Sequence, residues 1–224
     1  MPILDASALL LAAVSHDLRT PLAAAKAAVS GLRSADIQLT AEDHDELLTT
    51  ADESLDQLSR LLASLLDASR LQAGVLAVIP RPANLKEIVA RSVGSIEPEA
   101  GTVIIRIPPG LPLVMADPPL MERVIANVTA NALRYSPAGS SPLLTAGVCG
   151  ARVVLCVVDH GPGVPAPYRD RIFEPFRRLG EAGTGVGLGL TVSRGLTEAM
   201  HGTLEAAETP GGGLTMAISV PAAP

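Results

Sequence analysis

The chain has 224 residues and a mass of 23.0 kDa, enough for one large or two small domains. Hydrophobic residues make up 48% of it and charged residues 18%, which excludes a largely disordered protein. The net charge of −6 argues against nucleic acid, or an anionic membrane surface, as the main partner.

Residues 1–74 carry the pattern of two long helices. Apolar residues recur every seven positions, at Leu4, Leu11, Leu18, Ala25 and Leu32 and again at Leu48, Leu55 and Leu62. Such a repeat indicates a helical bundle seam, and Thr40 with Asp43 resembles a capping box at the start of the second helix. Because a lone hairpin cannot cover its seam, we expect two copies to form a dimeric four-helix bundle. The alternative is a hairpin that packs on the rest of its own chain.

Short β-type runs alternate with helical patterns from Gly74 onward. Strands are predicted at Val75–Ile79, Val103–Ile107, Leu143–Val148, Val153–Val158 and Leu214–Val220, and helices at Leu85–Ser95, Pro119–Arg134 and Leu188–Met200. The alternation predicts an α/β sandwich over residues 80–224, joined to the hairpin by a hinge at Ala73–Pro82. The fold class is therefore α+β.

The first helix carries a histidine beside a carboxylate. In the seven-residue repeat His16 lies on the outer face, with Thr20 one turn away and Asp17 adjacent. A neutral imidazole is a usable nucleophile near pH 7, and a carboxylate that accepts its other N–H fixes the tautomer. Pro21 predicts a bend at this turn. Taken alone, such a histidine is most often an ordinary surface residue.

Four elements of the second half suit a nucleotide. Asn127 and Asn131 share one helix face, and an amide oxygen suits Mg²⁺ that already carries phosphate oxygens. Asp159 ends a predicted strand, where it can accept a hydrogen bond from adenine. Phe173–Arg178 contains the only two phenylalanines, and Gly183–Leu190 places alternating glycines before a helix whose N-terminus favours phosphate. Each element has a plainer reading by itself: a polar helix face, core aromatics or an ordinary turn.

The segment Ser15–Leu22 closely resembles the phosphoacceptor box of bacterial sensor histidine kinases. The four later elements, in this order, resemble the nucleotide-binding boxes of the same family's catalytic domain, a Bergerat-type ATP fold shared with gyrase. The resemblance covers nearly the whole chain. It implies a dimerisation and histidine phosphotransfer hairpin over residues 1–74 and a catalytic ATP-binding domain over residues 80–224.

The resemblance also implies a role for each matched position. His16 would accept the phosphoryl group, and Asp17 would orient the histidine. Thr20 would position water when the protein acts as a phosphatase on its response regulator, and Asn131 would bind Mg²⁺. The remaining groups around ATP would be Asn127, Arg134, Tyr135, Asp159, Gly161, Gly163, Arg177, Arg178, Gly185, Val186, Gly187, Leu188 and Gly189. Either Arg177 or Arg178 would reach the phosphates, and the sequence does not choose between them. The implied partners are a second copy, through residues 1–74, and the receiver domain of a response regulator.

One position separates the kinases from relatives that hydrolyse ATP. In those ATPases a glutamate four residues before the metal-binding asparagine activates water, whereas Asn127 stands there in this chain and an amide cannot accept the proton. The sequence therefore predicts phosphoryl transfer to a protein nucleophile. The rivals are an ATPase of the same fold, with rapid turnover and no phosphoprotein, and a non-catalytic ATP-binding scaffold.

A narrower resemblance concerns residues 20–29, 67–74 and 209–216, which look like the potassium-responsive sensor kinases of the KdpD type and imply a role in potassium or osmotic sensing. Cys149 and Cys156 make neither a disulfide framework nor a zinc site, which favours two reduced core thiols in a cytosolic protein. No apolar run approaches the ~18 residues that cross a bilayer. We expect a cytoplasmic core whose membrane-anchored N-terminal part is missing from this sequence.

Overall fold

A computed structural model of the chain describes residues 3–34, 39–96, 102–177 and 187–224, and within α1 the side chains of residues 15 and 17–32. Helix α1 (Ile3–Leu32) and helix α2 (Ala41–Gln72) are 30 and 32 residues long and pack together as the predicted hairpin. The capping box is confirmed. The Thr40 hydroxyl accepts from the Asp43 amide at 3.1 Å, and Asp43 Oδ2 accepts from the Thr40 amide at 2.9 Å.

The two helices bury small side chains between them and leave large ones outside. Ala25, Ala28 and Ala51 are at most 7% exposed, and Pro21 is buried inside α1. Alanine allows two helices to approach closely. The apolar side chains at Leu22, Val29, Leu48, Leu55, Leu62 and Leu66 are instead 45–57% exposed. The hairpin therefore carries an apolar surface that the described part of its own chain leaves uncovered.

The second half is an α/β sandwich. Its strands are β1 (Arg81–Ala83), β2 (Ile104–Arg106), β3 (Val114–Ala116), β4 (Leu143–Cys149), β5 (Arg152–Val158), β6 (Thr203–Glu208) and β7 (Leu214–Pro221). Its helices are α3 (Leu85–Gly94), α4 (Pro118–Tyr135) and α5 (Gly189–Ala199), with short 3₁₀ turns at 166–168 and 171–173. Within the described ranges the main sheet has the order β2-β4-β5-β7-β6, and β1 pairs with β3 separately. The α+β class, a helical hairpin followed by an α/β sandwich, is confirmed.

The core lies between the sheet and its helices. Alternate residues of β5 are buried at Val153, Leu155 and Val157, as expected for a strand with one face on the core. Helices α3, α4 and α5 each contribute buried side chains to the same cluster. Asp117 caps α4 and also accepts a hydrogen bond from the Ile79 amide at 2.9 Å, which ties the interdomain connection to the start of that helix.

The predicted strand at Val75–Ile79 is wrong. These residues join neither sheet of the described chain, and Val75 and Ile79 are 69% and 72% exposed. A short apolar run with β-branched residues favours a strand, but a strand also needs a hydrogen-bonded neighbour, and no described segment pairs with this one. The sequence also missed β1, β3 and β6. The first two have only 3 residues each, and β6 is an edge strand with several exposed polar positions.

None of the described helices combines the length and the apolar character needed to cross a membrane.

Candidate active site

A cavity of about 530 Å³ lies between α2, α4, the start of α5 and the loop after β5. Its volume is in the range of small-molecule sites. It brings together predicted nucleotide ligands that are up to 62 positions apart in sequence: Asn127, Asn131, Arg134, Tyr135, Asp159, Gly163, Arg177, Gly187, Leu188 and Gly189. Arg178, Gly185 and Val186 lie outside the described residues.

Helix α4 forms the polar wall. Asn127, Asn131 and Arg134 recur at helical spacing and all line the cavity. The Asn127 side-chain amide donates to Ser193 Oγ on α5 at 2.9 Å. A Cβ on Gly189 would lie 2.5 Å from Asn127 Oδ1, so a larger residue at the start of α5 would require this amide to move. Asn127 therefore holds α4 against α5 as well as facing the cavity.

The Asp159 loop forms another wall of the cavity. Asp159 is 5% exposed, and its Oδ1 accepts hydrogen bonds from the amides of Gly161 at 2.8 Å and Leu214 at 3.1 Å. These two bonds fix the orientation of the carboxylate. Gly161 does not itself line the cavity, but a Cβ there would lie 2.4 Å from the Tyr135 carbonyl oxygen, so this glycine lets the loop close on the end of α4.

Phe176 and Gly187 contact each other just before α5. The Phe176 amide donates to the Gly187 carbonyl at 3.0 Å, which joins the chain on either side of residues 178–186. Gly187 has φ +71, and a Cβ there would lie 2.9 Å from the Arg177 carbonyl oxygen. The Thr191 hydroxyl also donates to the Phe173 carbonyl at 2.8 Å. Phe173 is buried, as the sequence predicted for a core aromatic.

Of the two candidate phosphate-binding arginines, the structure describes Arg177. Its side chain lines the cavity, and its Nε donates to Glu174 Oε2 at 2.6 Å. This hydrogen bond lowers the pKa of the exposed Glu174 carboxyl. The guanidinium is therefore held at the edge of the cavity by a neighbouring carboxylate.

Helix α2 forms a wall that the sequence did not predict. Gln57, Arg60, Leu61 and Ser64 line the cavity from the hairpin side. Their spacing places them on one face of α2, which is the only sign of this role in the sequence. Nothing local to α2 indicates which domain that face meets, so the contact depends on the docking of the hairpin.

The phosphoacceptor segment lies elsewhere. His16 is within α1, and its side chain is outside the described residues. Asp17 is half-buried and Thr20 is exposed on the same helix. None of the described α1 side chains lines the cavity. Among the side chains of this segment that the structure describes, none therefore meets the nucleotide cavity.

The cavity suits a magnesium ion that arrives with a nucleotide. Among the described residues, no three His, Cys, Asp or Glu side chains cluster as a metal cage. The half-buried Asn131 amide offers one neutral oxygen to the cavity, which fits an ion whose other ligands are phosphate oxygens and water. Asn131 therefore remains the predicted protein ligand.

Two family models match the chain. Residues 6–74 match the His Kinase A (phospho-acceptor) domain, and residues 116–224 match the histidine kinase-, DNA gyrase B- and HSP90-like ATPase domain. Sensor protein KdpD of Mycobacterium tuberculosis is 50% identical over 221 residues, which cover 95% of this chain. The same match covers 26% of that protein, so the chain spans about a quarter of the relative's length.

Solved structures share the arrangement of hairpin and sandwich. Full-length ShkA in complex with AMPPNP superposes with a TM-score of 0.68 at 28% identity, covering 95% of this chain and 46% of that one. Acinetobacter baumannii histidine kinase AdeS gives a TM-score of 0.70 at 23% identity, over 93% of this chain and 98% of that one. The second likeness concerns the fold alone.

Proposed function

Because the chain belongs to the sensor histidine kinases, we propose that it transfers the γ-phosphoryl group of ATP to His16 and then to an aspartate of a response regulator. The observation that supports this most strongly is the cavity that joins Asn131, Asp159 and the glycine-flanked start of α5. Of the two alternatives, an ATPase of the same fold would transfer the phosphoryl group to water, and a non-catalytic scaffold would not transfer it.

ATP would lie with its adenine at Asp159 and its phosphates toward α5. The Asp159 carboxylate, oriented by the amides of Gly161 and Leu214, would accept from the adenine amino group. The start of α5 offers amide donors and a favourable helix dipole at Gly187, Leu188 and Gly189, where phosphate would bind. Mg²⁺ held by Asn131 would neutralise phosphate charge. Arg134, Tyr135, Gly163 and Arg177 would line the rest of the nucleotide.

The histidine would act as the nucleophile. One ring nitrogen of His16 forms a bond to the γ-phosphorus, the bond from that phosphorus to the bridging oxygen breaks, and ADP leaves. Asp17 would accept the N–H of the other ring nitrogen and so fix the tautomer. Thr20, exposed one turn further on, would position water when the phosphorylated regulator is hydrolysed.

Asn127 supports transfer over hydrolysis. A water-activating base at this position must accept a proton, and an amide cannot. Its Nδ2 is also committed to Ser193 Oγ at 2.9 Å. Hydrolysis of ATP would therefore be slow, and the γ-phosphoryl group would remain available to a protein nucleophile.

The exposed apolar surface of the hairpin supports a homodimer through residues 1–74. Leu22 and Val29 on α1, and Leu48, Leu55 and Leu62 on α2, are spaced by seven residues and are each 45–56% exposed. Leaving such side chains in water sacrifices ~1.5–3 kcal/mol for each one that a partner would bury. A second hairpin offers the same pattern and would form a four-helix bundle.

The regulator would dock beside His16 as a receiver domain with an acceptor aspartate. The likeness to KdpD supports the potassium-responsive interpretation, and we place this core on the cytoplasmic side of a membrane-anchored kinase.

Labelling with γ-labelled ATP tests the proposal. We expect His16→Gln to abolish labelling while Mg-ATP binding is retained, and His44→Gln, a change of an exposed histidine on α2, to label like the parent. Asn131→Ala should lose labelling through loss of the metal ligand. The label should be removed by acid, because phosphohistidine is acid-labile. Acid-stable label, or label that persists in His16→Gln, would contradict the assignment, and rapid ATP turnover without phosphoprotein would favour the ATPase.

A further inference from the structure

The wall that α2 gives to the cavity has a chemical consequence. We infer that Arg60 of α2 binds the phosphates of the nucleotide, so that the ATP site is completed by the hairpin and not by the catalytic domain alone. This inference rests on the proposed function, because it takes the cavity to be the ATP site. The hairpin would then contribute to nucleotide affinity through Arg60, in addition to carrying the acceptor histidine.

The position of Arg60 follows from the face that α2 turns toward the catalytic domain. Gln57, Arg60, Leu61 and Ser64 all line the cavity, and Ser64 Oγ donates to the Arg60 carbonyl at 3.0 Å. Leu61 and Leu65 pack against the catalytic core on the same side. Arg60 is therefore carried on a packed helix, not on a loop.

A buried ion pair fastens this face. Asp67 of α2 is 3% exposed and pairs with Arg123 of α4. A buried carboxylate without such a partner is strongly destabilising, so the pair favours one docked position of α2. Arg60 lies seven residues earlier, about two helical turns along the same face.

Close packing follows at the next turn of the helix. A Cβ on Gly195 of α5 would lie 2.8 Å from Leu71 Cδ1, so the glycine makes room for the leucine. The ion pair and this contact hold α2 on both α4 and α5, the helices that carry Asn131 and Gly189.

The charge of the cavity favours the phosphates as the part of the nucleotide that Arg60 contacts. Three arginines, Arg60, Arg134 and Arg177, line it, against one carboxylate among the described residues, Asp159. Asp159 Oδ1 already accepts two backbone amides, and it belongs to the adenine end of the proposed site. A guanidinium binds phosphate oxygens through paired N–H donors, whereas adenosine offers no anion for it.

Calorimetric titration of the whole chain with Mg-ATP and with adenosine tests the inference. We expect Arg60→Gln to weaken ATP binding about tenfold and to leave adenosine binding unchanged, since it removes one charge-assisted contact. Arg70→Gln is the matched control, because it removes an exposed arginine of the same helix that does not line the cavity. Arg123→Gln, which breaks the fastening pair from its more exposed side, should weaken ATP binding comparably and add little in combination with Arg60→Gln.

The outcomes separate this inference from the proposed function. A parent chain that does not bind Mg-ATP would overturn the proposed function itself. A parent chain that binds normally, with an Arg60→Gln variant that binds ATP equally well, would overturn only the role of Arg60. An equal loss in Arg70→Gln, or an equal loss of adenosine affinity in Arg60→Gln, would also refute a direct phosphate contact.

Discussion

Replacing Gly213 by alanine should damage the ATP-binding domain far more than the same change one residue earlier. Gly213 has φ +113, and a Cβ there would lie 2.0 Å from the Asp159 carbonyl oxygen and 2.7 Å from His160 Cα. Both neighbours are backbone atoms and cannot rotate away. Gly212 has φ +105, but a Cβ on it would have open space within 4 Å, so Gly212→Ala carries the backbone strain without the collision.

The structure limits the difference in the free energy of unfolding between the two variants. An alanine held at such a φ costs about 1–3 kcal/mol in either position. The collision at Gly213 adds the cost of overpacking, about 1–3 kcal/mol or more. The free energy of unfolding of Gly213→Ala should thus fall about 2 kcal/mol below that of Gly212→Ala, which is about 1 M in the urea midpoint.

Urea unfolding followed by tyrosine fluorescence measures this difference. Tyr135 and Tyr168 are the only tyrosines and the chain has no tryptophan, so the emission reports on the ATP-binding half. Gly213→Ala should also bind adenosine more weakly, because the adjacent Leu214 amide orients Asp159. Equal midpoints for the two variants would refute the close approach of this loop to Asp159.

Two further predictions concern hydrogen bonds. A double-mutant cycle of Asn127→Ala and Ser193→Ala should give a coupling of about 0.5–1.5 kcal/mol in urea unfolding, and additive effects would exclude the bond between α4 and α5. The hydrogen bonds from Thr40 lower the pKa of Asp43 from 3.8, so their stabilisation is present above that pH and is lost as the pH falls through the lowered pKa. Thermal melts should therefore show a gap between the parent and Thr40→Ala that narrows in acid, and a constant gap would contradict the pairing.

The features that the sequence predicted well are local ones. Helix α2 was placed by its seven-residue repeat, and its first turn by the capping box at Thr40, which depends on residues three apart. The strand β5 is predicted by its short run of apolar, mostly β-branched residues at Val153–Val158, which requires no distant contact. The side chains of Asn131 and Asp159 suit a metal and an adenine, and the two residues line one cavity, while their roles stay predictions.

The features that the sequence missed depend on contacts between distant segments. The cavity wall at Arg60 requires knowing that α2 docks on α4, and the fastening pair of Asp67 and Arg123 joins residues 56 positions apart. The residues of Val75–Ile79 by themselves fit a strand, and only the lack of a neighbour among the described strands excludes one. The need for glycine at Gly213 arises from a loop more than 50 residues earlier.

The hydrogen bond from the Phe176 amide to the Gly187 carbonyl also bears on how this site tolerates changes of length. This bond holds Phe176 and Gly187 together. The position of α5 therefore does not depend on the number of residues between them. Doubling the number of intervening residues would cost only about 0.6 kcal/mol of closure entropy. Changes of length between Phe176 and Gly187 should therefore leave the start of α5 in position as long as this hydrogen bond is kept.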